Sequence, residues 1–475
     1  MLCALPLFTL ASVAAGLAAH GAQPKHGQAK HHVLVGNFGS EYNVTLMLDG
    51  TQDVGLGFLY ALEIDTEKKS LELVKTSPAA AAHPWLSVNR KAGVVYGSGW
   101  SKPVNGTRTF SSYAIQPDYS VSLLNTVVSC GTKPIANDFV PEAGEHGVLY
   151  GLDFVNPCGE AWAVSKNGAL ERQVQALGFE EGSTLHGFVT TPDLKYMYIM
   201  NLGGNNVHGY SLFLSNGTLS SLALYPPSEV AAGPRHAVIS PSGAYLYLID
   251  EEGLRVDQFA ISQSRGALEF TSVSLAVTPF GLAPANASLY WGDEIVISSD
   301  GRTLYASTRS RVAGPTTPGY ISGWALDATG ALVSQDPLFV KGTPGAGGTS
   351  NILSVSPWGD ASKDMLVLTD QDQDFVALYE LQGRELVLLD RVKYVAVFLS
   401  PLADPAAYRS FVVSRASTAV RGQCGWIDLQ RCTRVEVKTM TGCVAFRMPP
   451  GSRMLDSKKS RKATAITALV LSPAL

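Results

Sequence analysis

The sequence predicts an all-β chain: a seven-bladed β-propeller followed by an irregular C-terminal tail. The first observation is a unit at residues 237–249. There the β-prone run Ala237-Val238-Ile239 meets the turn Ser240-Pro241-Ser242-Gly243 and then Tyr245-Leu246-Tyr247-Leu248-Ile249. Proline sets φ in such a turn, glycine is free to take positive φ, and aromatic and β-branched runs suit strands. The second observation is recurrence. Copies of the second strand stand at Val94-Val95-Tyr96-Gly97, Val148-Leu149-Tyr150-Gly151, Tyr196-Met197-Tyr198-Ile199, Thr303-Leu304-Tyr305-Ala306 and Met365-Leu366-Val367-Leu368, and His32-Val33-Leu34-Val35 opens the series. With the unit at Tyr245 these make seven, about 50 to 60 residues apart, which is the period of a four-stranded propeller blade. The third is composition: only 16% of residues are charged and 46 are glycine, as buried strands joined by tight turns require.

Length alone, 475 residues, argues for two or three domains, but a closed ring of repeats is a single domain. The expected organisation is a leader at 1–22, the propeller at 31–416 and a basic tail at 421–475. Residues 1–22 are apolar (Leu5-Pro6-Leu7-Phe8-Thr9-Leu10-Ala11, then Ala- and Gly-rich) and end in small residues. They read as a secretory signal peptide, although the usual positive n-region is missing. Four sequons agree with secretion: Asn43-Val44-Thr45, Asn105-Gly106-Thr107, Asn216-Gly217-Thr218 and Asn286-Ala287-Ser288. No other segment has the roughly 20 apolar residues of a spanning helix. Net charge of −4 gives no case for nucleic acid.

Several motifs that imitate cofactor sites fail on inspection. His26, His31 and His32 beside Lys25 and Lys30 read as a solvated, flexible arm rather than a metal site. Asp370, Asp372 and Asp374 imitate a calcium loop, but Phe375 stands where that loop needs Gly and Leu381 where it needs a bidentate Glu. A polar turn is the better reading. The glycine-rich stretch Gly342 to Ser350 lacks the Gly-Lys-Ser/Thr ending of a phosphate loop. No Cys-x-x-Cys pair exists, which argues against structural zinc. Cys130 and Cys158 flank the third repeat strand and suit one disulfide in an oxidising compartment. Cys424, Cys432 and Cys443 leave an odd thiol in the tail. No metal or other cofactor is expected.

What remains is a set of charged residues at matching places in successive repeats. His186 (in Leu185-His186-Gly187) and Arg235 (in Gly233-Pro234-Arg235-His236) precede the repeat strands of the fourth and fifth units. Glu251 and Arg309 follow those of the fifth and sixth. Matching slots on adjacent blades lie at one height around the axis, so the four are expected at one mouth of the central channel.

The ordered set Leu185-His186-Gly187, Pro234-Arg235, Tyr245-Leu246-Tyr247 with Glu251, Ser307-Thr308-Arg309, and Gly347-Gly348-Thr349-Ser350-Asn351 with Ser356-Pro357-Trp358 resembles the fungal carboxy-cis,cis-muconate cyclases. These belong to the lactonase-type seven-bladed propellers, which include bacterial 6-phosphogluconolactonases. The resemblance spans roughly residues 32–393. It implies that His186, Arg235, Glu251 and Arg309 form the active site without a metal. Arg235 and Arg309 would bind a small anionic carboxylate or lactone, with His186 or Glu251 as the proton-transfer group. Thr349 stands where the cyclases carry His, which leaves the substrate open, and the family's cytoplasmic chemistry conflicts with the secretion signal. A lactone hydrolase and a secreted, non-catalytic binding propeller are the alternatives. The oligomeric state is not readable.

Two further expectations concern the ends. The strand at 32–38 is expected to pair with a C-terminal strand within 394–414, because an open ring would leave exposed edges. Residues 421–475, with strand periodicity only at 434–440, are expected outside the ring and largely disordered.

Overall fold

The structure, a computed structural model, describes residues 30–37, 57–100, 108–279, 287–312, 317–348, 350–357 and 364–393. It also describes the backbone of short strands at 4–6, 45–46, 52–53, 434–439 and 442–447. Seven four-stranded antiparallel sheets follow one another along the chain, as blades of a propeller. Blade 1 is built from Ala4–Pro6, Lys30–Val35, Gly57–Asp65 and Ser70–Ala79. Blade 2 runs from Leu86–Asn89 to Val121–Val128, blade 3 from Pro134–Val140 to Leu170–Gly178, and blade 4 from Leu185–Thr190 to Thr218–Tyr225. Blade 5 runs from Pro234–Ile239 to Leu268–Ala276, blade 6 from Tyr290–Ile297 to Phe339–Gly342, and blade 7 from Leu353–Val355 to Glu385–Lys393. The seven repeat copies are the second strand of every blade.

Those second strands carry continuous apolar runs because both of their faces are covered by neighbouring blades. Val148–Asp153 and Thr303–Ser310 are buried from end to end. The outer strands, such as Leu268–Ala276, alternate between buried and exposed positions instead. A repeated hydrogen bond locks one blade to the next. Tyr150 Oη donates to Gly217 O (2.7 Å), Tyr198 Oη to Gly266 O (2.9 Å) and Tyr247 Oη to Gly330 O (2.6 Å). In each case the tyrosine lies on a second strand and the acceptor is the turn glycine of the next blade's outer hairpin. Gly217 shows why glycine is needed there. Its φ is +73°, and a Cβ would lie 2.4 Å from Val148 Cγ2.

Blade 1 meets blade 7 through one apolar cluster, in which Val33, Val35, Tyr60 and Leu62 pack with Met365, Val367, Val376 and Leu378. Lys69 Nζ reaches Glu380 Oε2 (2.6 Å), and Leu71 N donates to Asp390 Oδ2 (2.8 Å) across the same seam. The inner edge of Lys30–Val35 is paired with Ala4–Pro6, in the register Ala4 with Val35 and Pro6 with Val33. This corrects the closure expectation: a segment inside 1–22 takes the edge assigned to 394–414. The strand edge presents only backbone N–H and C=O groups, which any extended segment satisfies. Residues 394–414 lie outside the described residues.

The flexible-arm reading of the histidines is also corrected at two of its three positions. His31 and His32 are buried in Lys30–Val35, where His32 stacks on Tyr119 (3.5 Å) and meets Glu63 (3.3 Å). His26 lies outside the described residues. Asp370 ends a second strand and residues 371–374 form a turn, as the polar-turn reading has it. Cys130 and Cys158 are joined by a disulfide. Residues 401–475 form a separate compact unit whose described part is the hairpin Arg434–Thr439 with Gly442–Arg447. The disorder expected for the rest of 421–475 concerns positions outside the described residues.

The tyrosine ladder is testable by Tyr247→Phe, which leaves Gly330 O and Gln258 Nε2 without their buried partner. The expected loss is about 1–3 kcal/mol, read as a lower urea midpoint at unchanged slope. A loss below about 0.5 kcal/mol would show that packing alone joins the blades.

Candidate active site

The site is built by bulges. In blade 4, Leu185 pairs with Asn201 but Gly187 pairs with Met200, so His186 is an extra residue without a cross-strand partner. In blade 5, Pro234 pairs with Asp250 and His236 with Ile249, which leaves Arg235 in the same position. In blade 6 the register slips between Gly292 and Ile295, freeing Asp293 and Glu294. A bulge re-aims the side chain of its extra residue and is common beside active sites. The first two lie at the start of an inner strand and the third in the middle of Tyr290–Ile297, with His186, Arg235 and Asp293 each ten residues ahead of the start of the second strand. Glu251 directly follows the second strand of blade 5, and Arg309 lies near the end of that of blade 6, so both reach the same end of the ring.

Side chains at the ends of the second strands fix the loops leading into the inner strands. Asn201 Oδ1 accepts from Thr184 N (3.1 Å) in blade 4, and Asp370 Oδ2 from Gly347 N (3.1 Å) in blade 7. In blade 5 backbone takes over, with Glu251 N donating to Gly233 O (2.8 Å). Gly187 lets blades 4 and 5 approach: a Cβ there would lie 2.7 Å from His236 Cδ2 and 2.9 Å from Arg235 O.

The structure brings the four sequence-derived residues into one network. Arg235 is fully buried, and each guanidinium nitrogen has a protein group beside it, Nη2 by ion pairing alone. Nε donates to Glu251 Oε2 (2.8 Å), Nη2 lies 2.7 Å from Asp293 Oδ1, and Nη1 serves both Asp293 O (2.5 Å) and His236 Nδ1 (3.2 Å). The expectation that Arg235 binds a substrate carboxylate therefore needs correction: its carboxylates are the protein's own. Arg309 meets the same two acids, through Nη2 to Glu251 Oε2 (3.0 Å) and Nε near Asp293 Oδ1 (3.5 Å). Its Nη1 makes no hydrogen bond among the described residues. Trp291 stacks beneath it at 4.7 Å and also carries Arg311 at 4.4 Å.

His186 joins the network through His236, with its Nδ1 2.9 Å from His236 Nε2. Burial, followed by the charge of Arg235, holds the His186 pKa well below the ordinary histidine value. The ring is therefore a neutral imidazole at neutral pH. Phe154 meets it edge-on at 5.7 Å, and Trp85 meets His236 in the same manner at 4.8 Å. Trp85 immediately precedes the inner strand of blade 2, which is not a neighbour of blade 5. Their contact therefore crosses the central channel and puts the cluster on its axis.

His236, Asp293, Glu294, Trp85 and Trp291 escaped the sequence reading. A signal for Asp293 and Glu294 was present, since they follow Trp291-Gly292 in the slot that Arg235 occupies one blade earlier and His186 two blades earlier. The Ser350-Asn351 motif acts through its second residue, whose backbone N donates to Asp293 Oδ2 and whose Nδ2 donates to Thr308 O (2.9 Å). Thr349 and Trp358 lie outside the described residues. Among the described residues, no three His, Cys, Asp or Glu side chains form a group able to hold a metal.

Seven four-stranded blades with one buried arginine–carboxylate network define a seven-bladed propeller with a candidate site at its channel mouth. Residues 49–397 match the family described as "Lactonase, 7-bladed beta-propeller", and the chain belongs to that family. It is 25% identical over 354 residues to the carboxy-cis,cis-muconate cyclase of Neurospora crassa, covering 71% of this chain and 92% of the relative. It is 28% identical over 214 residues to the 6-phosphogluconolactonase of an Enterobacter species, covering 44% and 57%. The periplasmic gluconolactonase of Pseudomonas aeruginosa shares the fold at TM-score 0.61 and 18% identity, over 77% of this chain and 96% of that one.

Asp293→Ala should be among the most damaging substitutions, because it removes a carboxylate facing a guanidinium that has no access to water. The expected loss is about 3–5 kcal/mol by urea denaturation, the usual effect of breaking a buried pair from one side. A change below about 1 kcal/mol would mean that Arg235 is not held by this pair.

Proposed function

We propose that this chain is a cycloisomerase that closes 3-carboxy-cis,cis-muconate, or a related polycarboxylate, to its lactone. The observation that carries the reading is Arg309. Two of its nitrogens are held by Glu251 and Asp293, its face rests on Trp291, and Nη1 is left over, with the charge of Arg309 felt at His186. An oriented guanidinium of this kind suits the planar geometry of a carboxylate. The Neurospora relative, matched over nearly its whole length, supports the same substrate class.

In this reaction a substrate carboxylate oxygen adds to one carbon of a conjugated alkene. As the C–O bond forms, the π pair moves to the neighbouring carbon and its charge spreads onto a second carboxylate. Arg309 and His186 stabilise that charge from fixed positions, so little reorganisation is needed. The neighbouring carbon then takes one proton. It comes from solvent through a water held at Glu251 Oε1, which makes no hydrogen bond among the described residues, while Oε2 keeps its contacts with Arg235 and Arg309. A neutral imidazole flanked by guanidinium groups is a poor proton donor but a good hydrogen-bond donor.

A second reading, lactone hydrolysis, has the Enterobacter relative in its favour. There Glu251 would activate water while Arg309 holds an anionic lactone. Secretion belongs to the proposal as well, with the leader retained because Ala4–Pro6 pairs with Lys30–Val35, and is supported by the Cys130–Cys158 disulfide and the exposed sequon residue Asn216.

Ultraviolet absorbance separates the readings, since cyclisation destroys the conjugated diene. Carboxymuconate should bleach with the native protein, and Arg309→Gln should lower kcat/KM about 100-fold or more. Acid release from sugar lactones without any bleaching would select the hydrolase, and neither activity would leave a binding protein. The pH profile adds an independent check. Because the His186 pKa is lowered, kcat/KM should stay level as pH falls through 6.5 and drop only further down. An acid limb at or above 6.5 would exclude a neutral His186 as the working form.

A further inference from the structure

We propose that His236 is a positioning residue that fixes the tautomer of His186, under instruction from Arg235, so that His186 presents an N–H rather than a lone pair to the reaction. The proposal deepens the reading above and rests on it, because it takes His186 to face the substrate.

The reasoning follows the protons. A guanidinium can donate but cannot accept. Arg235 Nη1 lies 3.2 Å from His236 Nδ1, so this ring nitrogen must offer its lone pair. An imidazole whose Nδ1 is bare holds its proton on the other nitrogen, so His236 carries it on Nε2. His236 Nε2 is 2.9 Å from His186 Nδ1, which must then accept. The single proton of His186 is left on Nε2, the nitrogen not used by His236. Three residues of blades 4 and 5 thus form a one-way chain of donors that ends at the substrate side of His186.

The competing arrangement runs the other way and begins at Glu294. Its Oε2 lies 3.1 Å from the same His236 Nδ1. Were His236 protonated there, both imidazoles would reverse and His186 would present a bare, basic Nε2. Two observations oppose this. Glu294 Oε2 has no hydrogen-bond partner, so it is close to the ring nitrogen but out of line with it. A proton on Nδ1 would also face the N–H of Arg235, which has no other protonation state available. Glu294 is instead held through Oε1, which accepts from Ile295 N (2.9 Å).

The ring of His236 is in turn held in place. Trp85 meets it from across the channel at 4.8 Å, and Gly187 leaves room for it against blade 4. It has contacts on each side and no freedom to flip without losing its bond to His186. This rigidity is what a tautomer relay needs.

Nitrogen-15 NMR of the full chain labelled at histidine reads the tautomers without any substrate. The signals of His186 and His236 are assigned by their loss in His186→Gln and His236→Gln. At neutral pH both rings should show a protonated Nε2 and a bare Nδ1. Protonated Nδ1 on both rings would overturn the proposal in favour of the Glu294 chain, and a mixture of tautomers would overturn the idea of fixation. This arm is decided even if carboxymuconate proves not to be the substrate, so its failure and that of the functional reading are distinct.

If the cyclase activity is present, His236→Leu should lower kcat about 10- to 100-fold while KM changes less than about threefold, because the lost interaction matters mainly in the transition state. His186 in that variant should show mixed tautomers. His236→Gln, whose amide can still donate to His186 Nδ1, should recover most of the lost kcat. Equal losses in the Leu and Gln variants would reduce His236 to a packing role and overturn the proposal.

Discussion

A guanidinium with no access to water dictates the arrangement of the channel mouth. Burying the Arg235 charge is tolerable only if carboxylates and hydrogen-bond acceptors surround it completely. Those groups come from different places in the chain. Glu251 follows the second strand of the same blade, Asp293 comes from the inner strand of blade 6, and His236 is its sequence neighbour. Asp293 is in turn oriented by the backbone of Asn351 just ahead of the inner strand of blade 7. One buried charge therefore couples three successive blades. The site is complete before any ligand arrives, which is the condition for electrostatic stabilisation without reorganisation at the moment of reaction.

The ring supplies the rigidity this coupling assumes. Each blade is too small to bury its own faces, so neighbouring sheets form clusters shared between blades, such as that of Tyr305 with Leu366 and Leu368. Tyrosine hydroxyls bonded to the next blade's turn glycines then limit how far one blade can rotate against another. That restraint acts toward the outer hairpins, whereas the bulges act at the inner strands. Packing sets the blade positions, and the bulges use those fixed positions to aim His186, Arg235 and Asp293 at one point.

What could be read from the sequence followed burial. The second strands were legible in all seven blades because covering both faces demands an unbroken apolar run, and such runs stand out. His186, Arg235, Glu251 and Arg309 were legible because they flank those runs at constant offsets. The bulges were not legible, since a slipped register leaves no mark in composition, and with them went His236, while Asp293 and Glu294 were marked only by their slot after Trp291-Gly292. His236 was hidden for a second reason: it is adjacent to Arg235, and alternation along a regular strand would have turned it away from the site. The N-terminal histidines were misread because their local sequence is polar and basic. Burial of His32 comes from Tyr119, in a turn of blade 2, and from Glu63 on the neighbouring strand Gly57–Asp65. Closure failed similarly, because pairing through backbone groups is indifferent to side-chain identity.

The division of labour between the two arginines follows from their surroundings rather than their sequence context. Arg235 sits deeper and has no nitrogen left for a ligand, so its influence passes through its neighbours. It lowers the proton affinity of His186, orders His236 and anchors Glu251. Arg309 shares both carboxylates with it but keeps one edge unused, supported from below by Trp291. Two guanidinium groups sharing two carboxylates leave little net charge in the network, so affinity for an anion must come from local geometry rather than from an excess of positive charge. Under the proposed cyclisation, the same balance would make charge developing on a second carboxylate more valuable than charge already present on the first, because the developing charge meets the donors left over. An enzyme built in this way favours its transition state over its substrate.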